Sequence, residues 1–179
     1  MSVESSRRHI VFCGTAGSGK STVGALVARA LGRDFVDIDR MVERETGTSI
    51  AKIFARDGEE AFRKYEEAAV ARALDGEHPA VISLGGGALE TDATFAAVRL
   101  HTLVWLKASV PTLAARLSSS GDRPLLAGAP LARLSALAAE REPRYRQAHV
   151  IVDAGLAPKG VAASVLEALR AEERVGARA

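Results

Sequence analysis

The sequence predicts an α/β chain, with helices covering both faces of a parallel sheet as a three-layer α/β/α sandwich. Three observations carry that expectation. Short, apolar, β-branched runs alternate with stretches whose apolar residues fall at helical spacing. The first run stops at a glycine-rich loop that opens directly into a helix. No repeat, low-complexity block or linker divides the 179 residues, so the whole of 1–179 is expected to form one domain.

His9 to Cys13 is a short apolar run ending at a glycine and reads as a buried strand. From Lys20 to Leu31, the residues Val23, Leu26, Val27, Ala30 and Leu31 mark one helical face, and Gly32 is placed to cap it. Phe35 to Ile38 is a second strand, followed by a helix over 39–45 that Thr46-Gly47 ends. A short helix over 49–55 and a longer one over 58–74 come next. Pro79 introduces a third strand over 80–84, which runs into Gly85-Gly86-Gly87. After another helix come a strand at 102–106, a helix at 111–117 and a loop from Ser118 to Pro124. A helix at 131–145, a strand at 150–152 and a last helix at 160–173 complete the pattern.

The net charge of +2 is too small to point to nucleic acid or an anionic membrane as partner. No stretch approaches the ~20 apolar residues of a membrane span. Met1 to Arg8 is polar and carries no signal-peptide core, and Cys13 is a single thiol in an apolar run, read as an inert core residue. These features suit a reducing cytoplasm. Without an obvious apolar stripe, the expectation leans to a monomer.

The segment from Gly14 to Ser21 fits G-x-x-x-x-G-K-[ST]. Its glycines let successive N–H groups turn inward on phosphate oxygens, and the helix behind it adds a positive N-terminal end. Lys20 is placed to reach the β- and γ-phosphates, and the Ser21 hydroxyl to ligate Mg²⁺. The motif points to ATP–Mg²⁺ and phosphoryl transfer but leaves the acceptor open.

Further features bear on the acceptor. Asp37 and Asp39 close the second strand with period 2, so both are expected on one face of the sheet. One can serve Mg²⁺ through water and the other can take a hydroxyl proton, yet Asp39 is equally placed to be a helix N-cap. Gly85 to Gly87 imply unusual backbone angles, a close approach by a ligand, or a plain turn. Arg63 and Glu66 share a helix face, which can offer Arg63 to an anionic acceptor with Glu66 holding it in place, although charge pattern alone favours a solvated ion pair. Arg123 lies in the Gly/Ser loop, where it can close over a transferring phosphate. Arg141 alone indicates nothing.

As an ordered set, GTAGSGKS, FVDID, IFARDGEEAFRKYE, LGGG, RPLL and EREPRY resemble the shikimate kinase family. The likeness runs from about residue 9 to 170. The resemblance implies transfer of the γ-phosphate of ATP to the 3-hydroxyl of shikimate, giving ADP and shikimate 3-phosphate for aromatic amino-acid biosynthesis. It also implies the P-loop nucleoside triphosphate hydrolase fold with five parallel strands, a substrate-binding region at about 39–66 and a lid at about 118–130. Under it, Asp39 contacts the acceptor hydroxyls and serves as candidate base, while Arg63 and Arg141 hold the shikimate carboxylate. Gly85, Gly86 and Gly87 lie against the ring. Gly17, Ser18, Gly19, Lys20, Ser21 and Thr22 bind nucleotide, Arg116 lies against adenine, and Arg123 is the lid arginine. Ser21 and Asp37 serve Mg²⁺, and Lys20, Asp39 and Arg123 form the catalytic set.

The sequence departs from familiar patterns twice. The strand at 80–84 ends in Ser83-Leu84-Gly85 and lacks the Asp of many P-loop proteins, which agrees with Asp37 serving the metal. The turn from Asp153 to Lys159 has no Arg where the family often has one near adenine. Two rivals stand beside this reading: another small-molecule kinase such as a gluconate kinase, and a non-catalytic nucleotide-binding regulator.

Overall fold

The computed structural model describes residues 8–118 and 131–176. Five strands form one sheet: β1 (Ile10–Cys13), β2 (Phe35–Asp37), β3 (Val81–Ser83), β4 (Thr102–Lys107) and β5 (Val150–Asp153). Their order is β2-β3-β1-β4-β5, and every neighbouring pair is parallel. The helices are α1 (Lys20–Leu31), α2 (Ile38–Thr46), α3 (Ile50–Leu74), α4 (Asp92–Val98), α5 (Val110–Ser118), α6 (Leu131–Tyr145) and α7 (Pro158–Gly176). A single 3-10 turn spans Ala88–Glu90.

Successive residues of a strand face opposite ways, and β1 shows why both faces of the sheet need cover. Ile10 and Phe12 enter a core with Val23, Val27 and Ala28 of α1 and Val161 and Val165 of α7. Val11 and Cys13 enter a second core with Val42 of α2, Ile53 and Phe62 of α3, and Tyr145 of α6. Cys13 is inert for a physical reason: burial pushes its thiol up to about 12.

Most element boundaries fall within two residues of expectation. The two helices expected over 49–55 and 58–74 run together as α3, with Gly58 as a break at φ 82°, ψ 177°. Of the segment expected as a lid, about 118–130, all but Ser118, including Arg123, lies outside the described residues. No helix among the described residues is long and apolar enough to cross a membrane.

Candidate active site

In a parallel sheet, ligands gather beyond the carboxyl ends of the strands. Here the order β2-β3-β1 puts three such ends side by side: Asp37 at the end of β2, Gly85 to Gly87 after β3, and the phosphate loop after β1. The loop is held curled by backbone angles that suit glycine, with Gly14 at φ 143° and Gly19, the N-cap of α1, at φ 92°. A Cβ on Gly14 would lie 2.7 Å from the Leu106 carbonyl oxygen. Lys20 folds back over the loop and donates to the carbonyls of Gly14 at 2.7 Å and Thr15 at 3.3 Å. Ser18 is buried in the loop and its Oγ has no hydrogen-bond partner among the described residues. Gly17 and Ser21 are half-buried, and Thr22 is exposed.

Beside the loop lies a cavity of about 600 Å³. Ala16 and Ser21 form its wall on the phosphate side, with Asp37, Asp39, Arg63, Glu66, Gly85 to Gly87 and Arg141 around the rest. Ile50, Phe54 and Phe62 add an apolar side. The Ile50 backbone N–H donates to Glu43 Oε1 at 3.0 Å, tying the start of α3 to α2.

The two aspartates reach this cavity by another route than strand alternation. β2 ends at Asp37, and Asp39 already lies in the first turn of α2. The N-cap is Asp37, whose Oδ1 accepts from the Arg40 backbone N–H at 3.2 Å. Asp39 is therefore released from the capping role and lines the cavity.

Arg63 and Glu66 are no solvated pair. Glu66 is 2% exposed and Arg63 17%, with Arg63 donating to Glu66 Oε2 at 2.7 Å. Arg63 also donates to Glu59 at 2.8 Å. Helix periodicity put the pair on one face, but only the sheet edge across from it makes that face interior.

Burial pushes Glu66 up to about 7, against the pull of Arg63, and Asp39 and Glu90 add to the rise. A carboxyl raised on folding holds its proton more tightly in the native state, so its contribution to stability is full below about pH 4.5 and is lost as pH rises through about 7. Urea titrations from pH 4.5 to 8 should show that loss, and Glu66→Gln should flatten it. An unchanged slope in the variant would remove Glu66 as its source.

The triple glycine has its reason in close approach and not in unusual angles, since none of the three has a positive φ. A Cβ on Gly85 would collide with Glu66 Oε1 and stand 3.0 Å from Asp39 Oδ1, while one on Gly87 would strike the Arg63 guanidinium. A Cβ on Gly86 would lie 3.2 Å from the Ala16 backbone nitrogen. Tyr145 pins the loop, its hydroxyl donating to the Gly86 carbonyl at 2.6 Å. Arg141 comes from the same helix, α6, one turn earlier, and donates through Nε to Glu90 Oε1 at 2.5 Å.

On the other side of β1, Arg116 at the end of α5 donates to the carbonyls of Ser18 at 3.4 Å, Ala154 at 2.7 Å and Leu156 at 3.3 Å. An arginine thus reaches the turn after β5, although that turn has none of its own. Ser83 stands where a strand-end Asp was lacking, its Oγ 3.5 Å from Ser21 Oγ.

The donor set suits Mg²⁺ held mainly by phosphate and water: the Ser21 hydroxyl and the Asp37 carboxylate line the same cavity. Among the described residues no group of three or more His, Cys, Asp or Glu forms a protein cage for a metal.

Spacing singled out Glu66 as a holder of Arg63 but not its burial. Glu90 beside both arginines and Tyr145 as the pin of the glycine loop were not singled out as site residues from sequence, because their partners are remote in the chain.

Comparisons with known proteins agree on one family. A family model described as shikimate kinase matches residues 16–170. A shikimate kinase of Chlorobium chlorochromatii is 45% identical over 175 residues, covering 92% of this chain and 90% of the relative. One of Mycobacterium avium is 47% identical over 142 residues, covering 79% and 80%. Among solved structures, a shikimate kinase from Acinetobacter baumannii in complex with shikimate superimposes with TM-score 0.88 at 30% identity, covering 93% of this chain and 95% of that one. A gluconokinase from Sinorhizobium meliloti, at 21% identity and TM-score 0.65, shares the fold. With the P-loop, the glycine triplet and the cavity between them in place, the match over most of its length means that this chain belongs to the shikimate kinase family.

Proposed function

We propose that the chain transfers the γ-phosphoryl group of ATP to the 3-hydroxyl of shikimate. The observation that carries this is the convergence of Arg63, from α3, and Arg141, from α6, on the cavity that Asp39 shares with the phosphate loop. Two guanidiniums from separate helices offer charge-assisted, forked hydrogen bonds to a carboxylate. With that group held, a ring hydroxyl comes between Asp39 and the loop. Gluconate is also a polyhydroxylated carboxylate, but the glycine loop and the Ile50–Phe54–Phe62 wall favour a compact ring over an open chain.

Each remaining residue has a proposed task. Asp39 orients the attacking hydroxyl and takes its proton, as the O–P bond forms and the β,γ-bridging bond to ADP breaks. Lys20 swings from the loop carbonyls to the β- and γ-phosphate oxygens, with the N–H groups of 17–22 around them. Ser21 and, through water, Asp37 would hold Mg²⁺, whose charge offsets that on the phosphate oxygens. Arg116 flanks the adenine side. Arg123, outside the described residues, is the proposed lid arginine. Positioning and electrostatics supply most of the rate, since phosphoryl transfer asks little covalent chemistry of the protein.

A coupled ADP-release assay with shikimate and gluconate as acceptors tests the reading; turnover of gluconate without shikimate would overturn it, and no turnover of either would favour a binding regulator. Arg141→Ala should raise the KM for shikimate about 10- to 100-fold, the worth of charged hydrogen bonds of about 1.5–3 kcal/mol, and leave the KM for ATP unchanged. Arg141 is the cleaner probe, because truncating Arg63 also strips buried Glu66 of its partner. A change confined to ATP would sink the assignment.

A further inference from the structure

The two arginines of the acceptor site already engage a carboxylate of the chain itself. Glu90 Oε1 accepts from Arg141 Nε at 2.5 Å, and its Oε2 lies 3.6 Å from Arg63 Nη2. One carboxylate thus reaches across both guanidiniums, the arrangement proposed for the acceptor's own. We propose that Glu90 is an internal stand-in for the acceptor carboxylate, competing with it for the Arg63–Arg141 pair and setting the affinity for shikimate. This rests on the reading that the pair binds that carboxylate.

The surroundings suit a side chain that lets go. The backbone of the 3-10 turn is fixed: the Glu90 N–H donates to the Gly87 carbonyl at 2.9 Å, Ala88 and Leu89 are buried, and Arg144 donates to the Leu89 carbonyl. The Glu90 side chain, in contrast, is 37% exposed. It borders a second cavity of about 250 Å³, on whose wall stands Arg144, itself paired with Asp92. A rotamer change therefore moves the carboxylate off the pair without moving the turn. Glu66 differs: at 2% exposure and bonded to Arg63 from within the core, it belongs to the scaffold and cannot exchange. An internal competitor reduces apparent affinity by the fraction of time the site is its own. It also keeps two guanidiniums charge-compensated between turnovers, and it makes the site reject anions too weak to displace it.

Calorimetric titration with shikimate tests the inference on the full chain. Glu90→Gln should lower the Kd for shikimate about tenfold, equivalent to ~1.4 kcal/mol, with the KM falling alike and the KM for ATP unmoved. Glu90→Ala repeats the test without the amide's own hydrogen bonds. Shikimate methyl ester, which lacks the negative charge, should gain nothing from either variant, an outcome that a merely structural effect would not produce. If both variants bind shikimate no more tightly than the parent, or if the ester gains equally, the stand-in role is overturned. Arg141→Ala separates the two levels. Loss of shikimate binding there, with no gain in the Glu90 variants, removes Glu90 alone; unchanged binding removes the acceptor reading itself.

Discussion

Asp39→Asn is expected to lower kcat for shikimate phosphorylation by about 10²- to 10⁴-fold, the usual worth of a positioned general base. The amide is nearly isosteric and can still hydrogen-bond the hydroxyl, but it cannot take the proton. The fold should survive. Asp39 sits in the first turn of α2, yet the cap of that helix is Asp37, so α2 keeps its N-cap in the variant, and the helix-dipole interaction that is lost is worth ~0.3–1 kcal/mol. Steady-state kinetics with saturating ATP, alongside circular dichroism, checks both halves. Turnover within a few-fold of the parent would remove Asp39 as base and leave it an orienting role.

The second large effect concerns a glycine. Gly85→Ala should lower kcat/KM for shikimate about 100-fold while the KM for ATP stays within about twofold, as a misplacement near 1 Å in a reacting site costs about that much. The added methyl would collide with Glu66 Oε1 and press on Asp39 Oδ1. Glu66 cannot yield cheaply, because it is buried and bonded to Arg63 at 2.7 Å. One methyl group thus pushes on the proposed base and, through Glu66, on a proposed carboxylate-binding arginine. Overpacking should also cost about 1–3 kcal/mol of stability, visible as a lower Tm. If kcat/KM stayed within about threefold, the crowding at Gly85 would have no bearing on the acceptor.

Much of the fold was legible because its signals are local. The 12 residues of α1 and the 15 of α6 match the expected spans, set by helical spacing and, for α1, by Gly32 at φ 63° as its cap. The donor half of the site was legible too, since the phosphate loop is one contiguous motif whose geometry arises from its own glycines and the helix behind it. The proposed acceptor half was legible only as a resemblance. Strand periodicity put Asp37 and Asp39 together, and they do line one cavity, but by another route, because Asp39 has already turned into a helix. Charge spacing paired Arg63 with Glu66 but put them in solvent.

By itself, then, the amino-acid sequence determined the alternating α/β pattern, the phosphate loop and the order of motifs that marks the family. The tertiary structure decided which side chains share the cavity, that Glu66 is buried and raised towards neutrality, that Arg116 supplies the cation the turn after β5 lacks, and that Glu90 reaches both Arg63 and Arg141. The physical reason is separation along the chain. Periodicity, capping and glycine loops are settled among near neighbours, whereas burial and convergence depend on the β2-β3-β1 order that brings residues 39, 63, 85 and 141 to one edge of the sheet.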